Sequence, residues 1–252
     1  MAGVASERND QRYGDIVVVG GGCYGSYYVA QLLKGSHAGA MQFDRIVVVD
    51  RDPACRVVAE APDPTRVHVV VQEWASFFDE YLARQNAESR DAIVPSPLMP
   101  HLMYEWLLAR ARQRWPGRTI ETRPLPADLA TPWTRPTDDG TYYASYATWM
   151  CPINCVEPRR CPHTREARDW TMPEAASELV WRGVGVEGPV IFHCTHRAYG
   201  VGMFDVRDVL AGDAIVRAAG EQGSANVLVG TVSHCHGAFN VLHLGVHVGA
   251  SH

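Results

Sequence analysis

The 252 residues are 46% hydrophobic and 20% charged, enough apolar material for a buried core, with a net charge of -5 and an isoelectric point near 6.1. That balance excludes the basic footprint of a nucleic-acid binder, and no apolar run approaches the roughly 18 residues that span a bilayer. The polar start through Asp15 has no signal-peptide core, so the expected location is cytoplasmic, where cysteines point to metal or redox chemistry rather than disulfides; their odd count, seven, agrees.

Asp15 to Val19 (DIVVV) is a continuous apolar run, the pattern of a strand buried on both faces of a parallel sheet. It enters Gly20-Gly21-Gly22-Cys23-Tyr24-Gly25 directly. The next stretch places Tyr28, Leu32 and Leu33 at helical spacing with Val29 beside them, and Gly35 is expected to stop that helix. Arg45 to Asp50 (RIVVVD) is a second buried strand ending in an acid.

The order strand, G-x-G-x-x-G, helix, strand, acid resembles the first βαβ unit of a Rossmann domain, in the style of the nucleotide-binding module of potassium-uptake regulators and related dehydrogenases. The resemblance implies a dinucleotide, NAD or NADP, held by the loop from Gly20 through Gly21, Gly22, Cys23 and Tyr24 to Gly25. Gly20 would permit the tight turn, Gly22 the approach of a pyrophosphate, and Gly25 close packing of helix on strand. Asp50 would accept hydrogen bonds from a ribose, which favours NAD, whereas Arg51 next to it could hold the 2′-phosphate of NADP. Two alternatives stay open: a Rossmann unit that binds no nucleotide, and a methyltransferase using a similar loop for S-adenosylmethionine.

The alternation continues. Arg66 to Val71 is a third strand, and Glu73 to Leu82, with Trp74, Phe77, Phe78, Tyr81 and Leu82 at helical spacing, a helix packed on the sheet. Asp91 to Val94 is a fourth strand, followed by a helix through LMYEWLLARARQRW. His101, near that helix start, would sit at the carboxyl edge where doubly wound sheets bind ligands, or else cap or pack the helix. After Trp115 the composition changes. Arg118 to Trp133 is rich in proline and threonine, and Thr137 to Tyr146 carries Asp-Asp-Gly, an irregular connection or a short hairpin. The expected division is a dinucleotide-binding domain over 14–125 and a cysteine-rich α/β extension over 126–252.

Cys151-x3-Cys155-x5-Cys161 lies among Pro152, Pro158 and Pro162, which deny the segment a helix and favour a loop that wraps its thiolates around one centre. Three ligands need a fourth. Val190 to Cys194 reads as a strand ending in His193-Cys194-Thr195-His196, and Asn226 to Val232 as another ending in Ser233-His234-Cys235-His236. A helix from Val206 to Ala219 between them makes a parallel βαβ unit, with Cys194 and Cys235 neighbours on one edge. Tyr199 to Phe204 is expected to be a flexible turn lining the same edge. An iron–sulfur cluster takes thiolates and finds five here; zinc could use a mixed set with His163, His193 or His236; and the cysteines could bind no metal, as buried packing or a reactive dithiol. The spacing matches neither ferredoxin runs nor zinc-ribbon knuckles. Cys55 reads as structural and Cys23 as a small residue in a tight loop. Glu157, Arg159 and Arg160 lie within the cysteine loop, and the arginines read as neutralising a thiolate-rich cluster, as holding a phosphate, or as solvated loop surface.

The sequence therefore describes an α/β protein with a Rossmann-like, mostly parallel sheet, helices on both faces, and a C-terminal α/β extension or small subdomain. The leading function is an NAD(P)-dependent oxidoreductase or electron-transfer protein with a cysteine-ligated centre, iron–sulfur or zinc. His101, His193 and His196 are the candidate catalytic residues. The alternative is a non-enzymatic nucleotide or redox sensor with structural zinc. An enzyme should show an enclosed pocket lined by histidines near the nicotinamide end. Expected partners are a dinucleotide, a redox partner protein and a second copy of the chain, with neither nucleic acid nor membrane.

Overall fold

The computed structural model describes residues 12–152 and 155–247; the polar start over residues 1–11, and two positions inside the cysteine loop, lie outside the described residues. Valine-rich runs make the strands that a parallel sheet buries on both faces. β1 (Arg12–Val19) pairs in parallel with β2 (Gln42–Asp50), setting Val17 beside Val47 and Val19 beside Val49, and on its other side with β4 (Ala92–Val94). β3 (Val67–Val71) lies outside β2. The order β3-β2-β1-β4 is half of a doubly wound sheet.

Alternate residues of these strands face opposite sides, so each face needs its own cover. Ile16, Val18, Ile46 and Val48 pack with Val29 and Leu32 of α1 (Cys23–His37). Val17, Val19, Val47 and Val49 pack with Phe77, Phe78 and Leu82 of α3 (Trp74–Ala83) and Leu107 of α4 (Leu102–Arg114). A short helix, α2 (Arg56–Glu60), lies against α1. The stop expected at Gly35 does not occur. Gly35 is buried inside α1, and the chain turns instead at Gly39, whose φ of +69° is the left-handed conformation that ends helices.

The second half first extends this sheet. β9 (Thr195–Ala198) and β10 (Val201–Asp205) join it antiparallel, with Phe204 of β10 opposite Ile93 of β4. The flexible turn expected at 199–204 is thus mostly strand. Val201, Met203 and Phe204 are fully buried, because apolar residues there close the edge that β4 would otherwise expose.

The remaining strands form a second sheet in the order β6-β7-β12-β11-β8. β6 (Trp133–Pro136) and β7 (Tyr142–Ser145) are the short hairpin that the Asp-Asp-Gly turn suggests. β8 (Glu187–His193) and β11 (Ala225–Val232) are parallel neighbours, crossed over by α6 (Val206–Gln222), and His193 stands in register with Val232. Their carboxyl ends share an edge as the sequence implies, but the edge belongs to this second sheet. β12 (His236–His247) has no counterpart in the sequence reading; its first half pairs with β7 and its second with β5 (Arg118–Arg123). One apolar core, including Phe78, Leu107, Phe192, Val209, Val227 and Leu242, runs from the first sheet through α4 and α6 to the second. On the far face, α5 (Met172–Trp181) lays Met172 and Leu179 on Phe239 and Val241, its start capped by Thr171, whose Oγ1 accepts the Glu174 N–H at 3.2 Å. Among the described residues no helix is long and apolar enough to cross a membrane.

Candidate functional site

The glycine loop is built by its own backbone. Gly20 turns at φ +86°, a conformation that disfavours any side chain. A Cβ on Gly25 would collide with the Gly20 carbonyl oxygen, and one on Gly21 with Cys55 Sγ. Cys55 is accordingly buried packing against the loop. The Gly21 N–H donates to Asp50 Oδ2 at 2.6 Å, and its carbonyl accepts from Val57 N–H at 3.0 Å. The other Asp50 oxygen accepts from the Asp52 N–H at 2.9 Å, so the acid at the end of β2 shapes the loop with both of its oxygens. Above Gly22 a Cβ would meet nothing within 4 Å. α1 begins there with no side-chain cap and no acid in its first turn, leaving N–H groups for an anion. Cys23 and Tyr24 are exposed on that first turn, and Arg56 Nη1 lies 3.7 Å from Cys23 Sγ. Arg51 is exposed, 4.0 Å from Glu73.

The cysteine loop makes a different kind of site. Cys151, Cys155 and Cys161 line one cavity of about 360 Å³ together with Cys235 from the turn between β11 and β12. Residues 159–168 double back on themselves, with Arg168 N–H on Arg159 O at 2.8 Å and Cys161 N–H on Glu166 O at 2.9 Å, and this small hairpin presents the Cys161 sulfur. Burial would raise that thiol, but N–H groups of Thr164 and His163 aimed at the sulfur bring its pKa below the ordinary value. Burial pushes Cys151 up, helped by the neighbouring Cys155 and Cys161, and pushes Cys235 up to about 11, helped by Glu157. Trp149 stacks on His163, ring centroids 4.4 Å apart.

Glu157 pins the two segments together. It stands at φ +48° and reaches across to the β11–β12 turn. It accepts from Ser233 Oγ at 2.7 Å, from the His234 N–H at 3.0 Å and from the Cys235 N–H at 3.2 Å. His196 Nδ1 lies 3.3 Å from its other side, an ion-pair distance without hydrogen-bond alignment. Burial would raise the Glu157 pKa, yet these partners hold it at about 2.

The cavity is also edged by buried polar atoms without a hydrogen-bond partner. Among the described residues nine buried side-chain polar atoms have no hydrogen-bond partner, and four of them, Trp149 Nε1, Trp170 Nε1, Arg168 Nε and His196 Nδ1, belong to residues lining it. The Trp149 and Trp170 N–H groups lie by Cys151 and Cys235 and favour their thiolates. No three His, Cys, Asp or Glu among the described residues lie close enough to hold a single metal ion.

A second cavity, of about 440 Å³, lies where the carboxyl end of β4 meets that of β11. Pro95 and Ser96 after β4, Tyr28 of α1, and Trp133 and Tyr143 of the hairpin line it. His196, Ser233 and His236 line both cavities and form the partition between them.

Residues 103–245 match the family model described as "Uncharacterized protein, C-terminal domain", named AF_1314_C, over more than half of the chain. The chain belongs to the AF_1314_C family. The AF_1314_C region runs from α4 to β12 and contains every residue lining the thiol cavity. No curated protein matches the chain. Among solved structures, the Bordetella bronchiseptica enzyme WbmF in complex with NAD+ and UDP is similar at 20% identity and a TM-score of 0.26, over 38% of this chain and 31% of its own.

The candidate residues separate. Cys194 lines the larger cavity rather than the thiol one, and burial pushes its thiol up to about 12. His196 is in β9 on the partition; His193 ends β8 outside both linings, its ring 5.8 Å from that of His234 and its pKa lowered first by burial and then by that neighbour. His101 stands away from both at the start of α4, with Nε2 3.4 Å from Glu105 and without capping the helix. Sequence reasoning missed the Glu157 pin and the Trp149, Arg168 and Trp170 donors. The two tryptophans flanking the cysteine run were the available signal, since loops seldom bury indoles without a purpose.

Proposed function

We propose that the chain is an NAD(P)-dependent oxidoreductase or electron-transfer protein carrying a cysteine-ligated iron–sulfur centre. The observation that carries this reading is the convergence of four thiols, Cys151, Cys155, Cys161 and Cys235, on one cavity edged by unpartnered donors. These four would hold the centre, and the dinucleotide would lie on the glycine loop at the uncapped start of α1. A single zinc needs its ligands within about 2.3 Å of one point, which no three such groups among the described residues provide, whereas a cluster would spread four thiolates over several atoms. When bound, such a cluster supplies one-electron transfer. Trp149 and Trp170 give N–H groups to the ligand sulfurs and Arg168 adds positive charge, which together favour the thiolate state. The neighbouring thiols that raise the Cys151 pKa would become favourable beside a cation.

Anaerobic purification with iron and sulfide analysis tests the centre. About four irons per chain with broad visible absorbance is the expected result. Colourless protein that takes up no iron on reconstitution overturns it. Oxidation of NADH or NADPH with an artificial acceptor tests the activity, and none from an iron-replete sample would remove the oxidoreductase.

A further inference from the structure

We propose that the 440 Å³ cavity binds an uncharged aromatic ring compound bearing a hydroxyl group, and that this is the substrate site. Its role as substrate rests on the oxidoreductase reading; the binding itself rests on the cavity. Small-molecule sites run from about 300 to 1,000 Å³, so 440 Å³ takes one or two fused rings. Tyr28, Trp133 and Tyr143 supply aromatic faces, and Pro95, Pro97 and Pro100 rigid apolar ones.

The charge of the ligand follows from what is missing. Among the described residues no lysine, arginine, aspartate or glutamate lines this cavity. An ammonium would lose its water and find no carboxylate there, and a phosphate or carboxylate would meet only the imidazoles of His196, already beside Glu157, and His236, so an uncharged ligand is favoured.

The hydroxyl follows from His236. Ser145 has one hydroxyl hydrogen, and Oγ donates it to the Ala147 carbonyl at 2.7 Å. The 3.0 Å contact between Ser145 Oγ and His236 Nδ1 therefore needs its hydrogen on nitrogen. In the neutral ring this leaves Nε2 as an acceptor on a residue that lines the cavity, which favours a ligand that donates. The site lies against the thiol cavity through His196, Ser233 and His236, so a ring bound there would be one side-chain layer from the proposed centre.

Calorimetric titration of the full chain with 1-naphthol and with naphthalene-1-sulfonate tests this, using iron-free and iron-replete preparations. Saturable one-to-one binding of 1-naphthol, at least tenfold tighter than the sulfonate, is expected in both. Trp133→Ala removes one aromatic wall from a half-exposed position and should weaken 1-naphthol roughly tenfold. Ser96→Trp, which fills the cavity from the loop after β4, should abolish it. The proposal is overturned by equal binding of the sulfonate, by no saturable binding, by wild-type affinity in both variants, or by displacement of 1-naphthol with NADH, which would assign the cavity to the dinucleotide. Binding without iron in any preparation would remove the centre and keep the ring site; iron without binding would do the reverse.

Discussion

The glycine loop and the thiol cavity are built in opposite ways. The loop comes from a few contiguous residues whose backbone sets the shape. Gly20, Gly21 and Gly25 occupy positions where a side chain would be strained or would clash, and Asp50 accepts two of the local N–H groups. It is complete without a ligand. The thiol cavity is assembled from side chains of the cysteine loop, of β9 and of the β11–β12 turn, segments far apart in the chain and held together by Glu157, and it leaves Trp149, Trp170 and Arg168 N–H groups without acceptors. Buried donors left unpaired cost about 1–3 kcal/mol each. Two of these donors lie by Cys151 and Cys235 and suit thiolates, which accept better than thiols, whereas the loop needs no such change in order to fold.

That contrast predicts that the two sites fail separately. On the proposed reading, Cys235→Ser replaces a soft ligand on the β11–β12 turn and should remove most of the iron that the centre would hold. Dinucleotide affinity, measured by calorimetry, should change less than about twofold, within the additivity of distant sites. Gly25→Ala drives a methyl group into the Gly20 carbonyl, and should destabilise by about 1–3 kcal/mol and remove dinucleotide binding. Iron per chain should then stay at the wild-type value. Iron loss in the Gly25→Ala protein at a temperature where it remains folded would mean that the loop and the cavity are one structural unit.

Glu157 is where the contrast can be sharpened, and it also marks the limit of what the sequence discloses. The four parallel strands and α1, α3 and α4 were legible because each is a local pattern: an apolar run of three or four residues, or apolar side chains at helical spacing. The pairing of β8 with β11 was legible for the same reason, through the helix between them. β5, β12 and the separateness of the second sheet were not, because they depend on partners far away: β12 is divided between β7 and β5. The cysteines announced themselves by spacing, but a glutamate in a proline-rich loop looks solvated unless the turn it grips, 76 to 78 positions later, is known. Glu157→Gln keeps the volume and turns an amide N–H₂ toward the Ser233, His234 and Cys235 donors. We expect about 1–3 kcal/mol of destabilisation by thermal melt and easier proteolysis between Cys155 and Cys161. Wild-type stability in this variant would make the loop self-supporting, and the cavity then as local as the glycine loop.

The smallest expected effect concerns acid. His243 of β12 is buried, with Nδ1 2.8 Å from Asn226 Oδ1. The Asn226 amide nitrogen donates to Gly185 O at 3.2 Å, so its oxygen faces the ring and the His243 Nδ1–H donates. Burial first, and then the nearby Arg123, push the His243 pKa below its ordinary value. The folded chain thus prefers the neutral ring, while the unfolded chain takes up a proton as pH falls below about 6.5. Stability from this group is present above that pH and is lost as the solution is acidified. His243→Gln keeps a donor for Asn226 and should flatten the fall of the melting temperature below pH ~6.5. His236, also lowered by burial, lines the thiol cavity. An unchanged slope in His243→Gln would therefore move the acid sensitivity from the body of the second sheet to the cavity edge, and make the thiol site the first part of the molecule to yield.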